Sequence, residues 1–251
     1  MSRKGSKQMH KEYLRNIRQL LEKLENTQEK TIDQVSAVCA ECIQKGGLLY
    51  FFGTGHSHMI CEEPFYRAGG LACVYPILET DLMLHAGASK SSGYERLEGI
   101  GNLAVSNAGL GKDDVLFIVS NSGRNCAVID AAMEAKKRGA VTVAITSMNH
   151  TTQVTSRHSS GLNLYQVCDY VLDNGGEVGD ASVMLAGMDQ KIAPTSSVID
   201  STLVNLVLVN TVEQLLNSGI KPPVFMSANT DAGDEANKAV LATYRRRIPN
   251  L

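Results

Sequence analysis

Three short segments of this chain place glycine and hydroxyl side chains directly behind apolar runs. Gly53-Thr54-Gly55-His56-Ser57 follows Leu48-Leu49-Tyr50-Phe51-Phe52, Ser120-Asn121-Ser122-Gly123 follows the run 114–119, and Thr146-Ser147 follows 140–145. Glycine lets a backbone approach a ligand closely, and hydroxyls add donors. A helix that begins at such a point presents free N–H groups and the positive end of its dipole. The combination suits an anion, a phosphate above all. The alternative is that each hydroxyl merely caps a helix. That alternative is weaker for Ser120-x-Ser122, because one cap needs one hydroxyl.

Two other nucleotide motifs fail on their residues. A P-loop needs Ser or Thr after its Gly-Lys, and Gly111-Lys112 is followed by Asp113. A dinucleotide fingerprint needs a third glycine where His58 stands, although Glu79 could mimic its acidic ribose ligand. His56 and His58 flank Ser57, where either could touch a ligand or act as an acid near neutral pH. Cys39-x-x-Cys42 has no second ligand pair and lies in a helical stretch, so neither zinc nor redox chemistry is expected there.

The elements that would position these segments are legible in the hydrophobic pattern. Apolar residues recur at helical spacing over 10–24 and again over 31–44, and Gly46-Gly47 ends the second stretch. The run 48–52 reads as a strand buried on both faces. A second strand is expected over 72–78, with Pro76 limiting it to a strand end or an edge. Further strands are expected over 114–119, 140–145 and 170–172, with the first of these central. Helices are expected over 125–138, 198–216 and 231–247, the last capped by Asp231 or Asp234. Strand and helix alternate, so the chain is expected to fold as an α/β domain with a parallel sheet covered on both faces. Ligands then bind beyond the carboxyl ends of the strands, where all three segments fall.

Composition excludes several function classes. The chain has 251 residues, 43% hydrophobic and 20% charged, with net charge −2, so no general attraction to nucleic acid or an anionic membrane is expected. No apolar run approaches the ~20 residues of a membrane span; the longest, 203–212, is interrupted by Asn205 and Asn210. Six scattered cysteines and no signal peptide at the start fit reduced thiols in a cytoplasmic protein.

Gly53-x-Gly55-x-Ser57 and Ser120-Asn121-Ser122-Gly123, with Ala193-Pro194-Thr195-Ser196-Ser197 opening a long apolar helix, resemble the SIS (sugar isomerase) domain. The resemblance runs from about residue 31 to 218. It implies a three-layer α/β sandwich with a five-stranded parallel, flavodoxin-like sheet, so residues 1–30 become an N-terminal helical extension and 31–251 the SIS domain. It implies a phosphorylated sugar as partner, held by Gly55, Ser57, Ser120, Asn121, Ser122, Asn125, Thr195 and Ser196. It also implies a homodimer or higher oligomer, since such domains commonly share sites.

The activity implied is aldose–ketose isomerisation of a phosphosugar, which needs a base to move a proton between C1 and C2. Glu62 and Glu63 follow the first loop, and residues 100° apart on a helix cannot both face a ligand. Glu63 is the expected base, with His56 assisting. Phosphoheptose isomerases carry a metal-binding His and Glu on this helix, and the matching positions here hold Glu63 and Arg67, so no metal or cofactor is expected. The other readings are a sensor that binds a phosphosugar without turnover, and etherase or deaminase-type chemistry on an amino-sugar phosphate.

Overall fold

The computed structural model describes residues 9–227 and 229–251. The irregular start expected over 1–7 lies outside them. In chain order the elements are α1 (Met9–Gln44), β1 (Leu49–Gly53), α2 (Met59–Glu62), β2 (Val74–Ile77), α3 (Ala88–Tyr94), α4 (Ile100–Ala108), β3 (Val115–Val119) and α5 (Cys126–Lys137). They continue with β4 (Val141–Thr146), α6 (Met148–Thr151), α7 (Leu164–Val167), β5 (Tyr170–Asp173), β6 (Ala181–Val183), β7 (Ile192–Pro194), α8 (Ser196–Asn217) and α9 (Asp231–Tyr244).

The main sheet has five parallel strands in the order β2-β1-β3-β4-β5. β3 is central, and every residue of β1 and β3 is buried, as their uninterrupted apolar runs require. Phe51 and Phe117 lie in register and stack with ring centroids 4.6 Å apart. β2 is an edge strand, which is where a strand carrying Pro76 can sit without losing a ladder hydrogen bond. The strand order reverses direction between β1 and β3, so their carboxyl ends flank the switch-point crevice in which ligands of such sheets bind.

Three expectations need correction. The two helical stretches before β1 are one helix of 36 residues. Leu24, Gln28, Ile32, Val35, Cys39 and Ile43 are buried at spacings of three or four, so the stripe never lapses, and nothing between 25 and 30 breaks a helix. α2, by contrast, is a single turn: Glu63 still has helical geometry, but Pro64 has no N–H with which to continue the hydrogen-bond ladder. Last, the N-cap position of α9 belongs to Thr230, one residue before the expected Asp231, and its hydroxyl accepts from Gly233 N–H at 3.2 Å.

Helices cover the sheet in pairs, α1 packed along α8 and α4 against α5. A small antiparallel hairpin, β6-β7, pairs Ala181 with Pro194 and Val183 with Ile192. Three-residue strands in a polar, glycine-rich region leave little periodicity, and the hydrophobic pattern does not announce them. Among the described residues no helix is long and apolar enough to cross a membrane.

Candidate functional site

The loop after β1 depends on its glycines. A Cβ on Gly53 would lie 2.7 Å from the Ser57 carbonyl oxygen, and Gly55 has φ +58°, so the chain turns back on itself only because both lack side chains. Residues 55–58 form one 3-10 turn, with Ser57 N–H donating to Thr54 O at 3.0 Å. Thr54 Oγ1 donates to Glu95 Oε2 at 2.7 Å and anchors the loop from outside. His58 is buried and its Nδ1 is held by the Gly55 carbonyl, so it is a brace of the loop. His56 is exposed at the rim.

The loop after β3 is equally constrained. Gly123 has φ +59°, and a Cβ there would meet Thr151 Oγ1 at 2.8 Å. Ser120 Oγ accepts from Gly123 N–H at 3.1 Å, which leaves its own O–H free to donate. The hydroxyls of Ser57 and Ser122 make no hydrogen bond among the described residues. Neither serves as a cap. Ser147, in the third segment, is one: its Oγ accepts from His150 N–H at 3.2 Å and donates to Gly176 O at 2.6 Å.

The other expected contacts are already engaged. Asn125 holds the N-cap position of α5 without capping it; its Oδ1 accepts from Arg157 Nη1 at 2.7 Å. Thr195 and Ser196 open α8, and their donors converge on Asp180. Its Oδ1 accepts from Thr195 N–H at 3.0 Å and Ser196 N–H at 2.8 Å, and its Oδ2 from Ser196 Oγ at 2.6 Å. These donors, expected to hold a phosphate, are here taken up by a carboxylate of the chain.

Asn121 Oδ1 accepts from Asn174 Nδ2 at 3.0 Å, and the same nitrogen donates to Asp200 Oδ1 at 2.8 Å. Asn174 Oδ1 accepts from Gly176 N–H at 2.9 Å, so this buried amide ties the ends of β3 and β5 to the first turns of α8. Burial pushes the Asp200 carboxyl up to about 7; the Asn174 bond opposes the shift and the Asp180 charge adds to it. Sequence reasoning missed Asp200, Asn174 and Asp180. A signal for the first existed: Asp200 is the sole acid or base between Ser196 and Val212, one turn beyond Ser196. The other two sit in a glycine-rich stretch with no pattern to mark them.

Glu63 stands apart from this cluster. It lies past the end of α2 and pairs with Arg67, and Asn205 Nδ2 donates to its Oε1 at 3.3 Å. Asn205 is nine residues along α8 from Ser196, a rise of about 13 Å. Among the described residues no group of three or more His, Cys, Asp or Glu side chains is arranged to hold a metal ion. Cys39 and Cys42 are buried within α1 as free thiols.

A topological switch point between β1 and β3, with a glycine-serine loop leaving each strand, is the arrangement of a sugar-isomerase domain, and the SIS-domain profile matches residues 12–147. The chain belongs to the SIS-domain family. It is 40% identical over 243 residues to a UPF0309 protein of Geobacillus kaustophilus, covering 97% of each chain. Its fold is shared by a phosphoheptose isomerase from Francisella tularensis (TM-score 0.52, 16% identity, 81% of this chain and 96% of that one). The phosphoheptose isomerase of Neisseria gonorrhoeae is similar to the same degree (TM-score 0.50, 15% identity, 82% and 95%).

Proposed function

We propose that this chain binds a sugar phosphate at the carboxyl ends of β1 and β3, with the phosphate held by Ser57, Ser120 and Ser122 and the N–H groups around them. The carrying observation is that the Ser57 and Ser122 hydroxyls, in the loops that leave the two strands of the switch point, have no protein partner among the described residues. A structural hydroxyl at such a place is normally spent on a cap, as Ser147 is. The names of the structural relatives agree with this reading. Gly55 shapes the first loop, and Asn121 orients the second through Asn174.

As an isomerase, the protein would move its proton with Glu63, assisted by His56 at the loop rim. The second reading, binding without turnover, is supported by one observation: Glu63 is occupied by Arg67 and Asn205, about 13 Å up α8 from Ser196. We assign the exposed apolar face of α8 to a second copy of the chain. Leu206, Val209 and Leu216 stand 40%, 65% and 58% exposed there, beside a groove that α8 forms with α1.

The test is thermal unfolding of the wild type and Ser122→Ala against hexose, heptose and amino-sugar phosphates, with the unphosphorylated sugars as controls. A ligand at 100 times its Kd adds ~2.7 kcal/mol, roughly 5–10 °C for a chain of this size. A shift confined to phosphorylated sugars and lost in Ser122→Ala is the expected result. No shift with any of them removes the proposal.

A further inference from the structure

Three arginines from separate segments surround the first turn of α5. Arg124 directly precedes Asn125, the N-cap residue. Arg157 N–H donates to the Arg124 carbonyl at 2.9 Å, and its guanidinium reaches Asn125 as described above. The Glu95 carbonyl accepts from Ala127 N–H at 3.0 Å, which brings the adjoining Arg96 to the same turn. The three charges feel one another. The Arg157 guanidinium is held below its ordinary pKa by burial first, then by Arg124 and Arg96, with Glu95 opposing.

Such a grouping normally recruits carboxylates, yet among the described residues none of the three arginines forms an ion pair. Arg124 Nε is buried with no hydrogen-bond partner, and so is His150 Nδ1. The two are neighbours: the His150 ring is kept below its usual pKa by burial and then by the Arg124 charge, with Asp180 opposing. A buried donor without a partner costs about 1–3 kcal/mol, and like charges gathered in a partly buried place repel. The α5 dipole adds positive potential. The component that would partner the Arg124 donor and offset the gathered positive charge at once is an anion.

We propose that Arg124, backed by Arg96 and Arg157, forms a second anion subsite beside the serine loops, so that the sugar phosphate bound there carries a second acidic group, a carboxylate or a further phosphate. The inference rests on the phosphosugar reading above and narrows its ligand class. Two subsites follow from where the residues stand. Ser57 follows β1, whereas His150, the neighbour of Arg124, follows β4 on the other side of β3. Ser120 and Ser122 follow β3 between them, so the phosphate lies one to two inter-strand spacings from His150, about 5–10 Å, a distance that a phosphorylated sugar spans.

The experiment is calorimetric titration of the full chain at fixed ionic strength with fructose 6-phosphate, fructose 1,6-bisphosphate and 6-phosphogluconate. Wild type, Arg124→Gln and Arg96→Ala are compared, with Ser122→Ala as the control on the cradle. The expected result is that one of the two doubly acidic ligands binds wild type about 10- to 100-fold tighter than the monophosphate. That preference collapses in Arg124→Gln and shrinks in Arg96→Ala. The bisphosphate and the phosphogluconate arms separate a second phosphate from a carboxylate. A wild type that shows no preference overturns the second subsite alone, and so does a preference that survives in Arg124→Gln. If Arg124→Gln weakens all three ligands by the same factor, Arg124 belongs to a single phosphate site and the inference fails. Binding of none of the three, with no thermal shift from any phosphosugar of the wider panel, removes the phosphosugar reading along with it.

Discussion

Both oxygens of the Asp180 carboxylate are held by Ser196, one by its backbone N–H at 2.8 Å and the other by its hydroxyl at 2.6 Å. Asp180 reaches this position from a left-handed backbone conformation, φ +69°, which aspartate tolerates better than most residues. It therefore does from a distance of 16 residues in sequence what a capping side chain normally does locally.

Asp180→Ala should cost about 1 kcal/mol of stability through loss of this cap. The same change frees the Thr195 and Ser196 donors for a dissolved anion, so inorganic phosphate should protect the variant against thermal unfolding more than it protects wild type. Melting curves at increasing phosphate decide the point. Weaker protection in the variant would mean that Asp180 assists the ligand.

Asp200 predicts a pH dependence. Its carboxyl titrates at about 7 in the folded protein and near the ordinary 3.8 when unfolded. Between those values the folded state binds the extra proton, so the group lowers stability as pH rises through the window, and the loss is complete above about 7. Asp200→Asn keeps an acceptor for Asn174 and never ionises. Its melting temperature relative to wild type should therefore rise from pH 5 to pH 8, by an increment worth at most roughly 3 kcal/mol. A difference that does not vary with pH would show that Asp200 does not titrate in that range.

Gly101 lets α4 lie against α5. A Cβ at this position would fall 1.9 Å from the Ala127 carbonyl oxygen and 2.8 Å from Ala131 N. Both are backbone atoms, so no rotamer change relieves the clash. Gly101→Ala should destabilise by about 1–3 kcal/mol, seen as a fall in Tm of roughly 2–12 °C. Unchanged stability would mean that the two helices are not in this contact.

Val209→Asp tests the α8 face. At 65% exposure the change should leave the isolated subunit folded and place a charge at the centre of the apolar patch. Sedimentation should shift from a wild-type oligomer toward the monomer mass. A wild type that is monomeric at all concentrations would remove the second copy from this face.

The strands and the two serine loops were legible because their signals are local. A buried strand is an apolar run such as 115–119, and each of the two loops is a cluster of glycine and hydroxyl residues directly behind such a run. What escaped is made by residues distant in sequence. Asn174 matters because Asn121 and Asp200 flank it in space, and Asp180 because Ser196 lies 16 residues on. The division of α1 failed for another reason. The buried Gln28 continues the helical stripe with a polar side chain, which a hydrophobic pattern does not count.

That glutamine has a mechanical meaning. Its Oε1 accepts from Asp173 N–H at 3.0 Å, and Asp173 Oδ1 in turn holds the Met148 and Gly175 amides. Nearer its start, the same helix grips the β6-β7 hairpin, through Asn16 Nδ2 to Ser182 O at 2.8 Å and Tyr13 Oη to Pro194 O at 3.0 Å. The first turns of α1 thus act as a handle on the segment that carries Asp180. A load applied to that helix, by a neighbouring subunit or by cutting it away at residue 30, is transmitted to the mouth of the crevice.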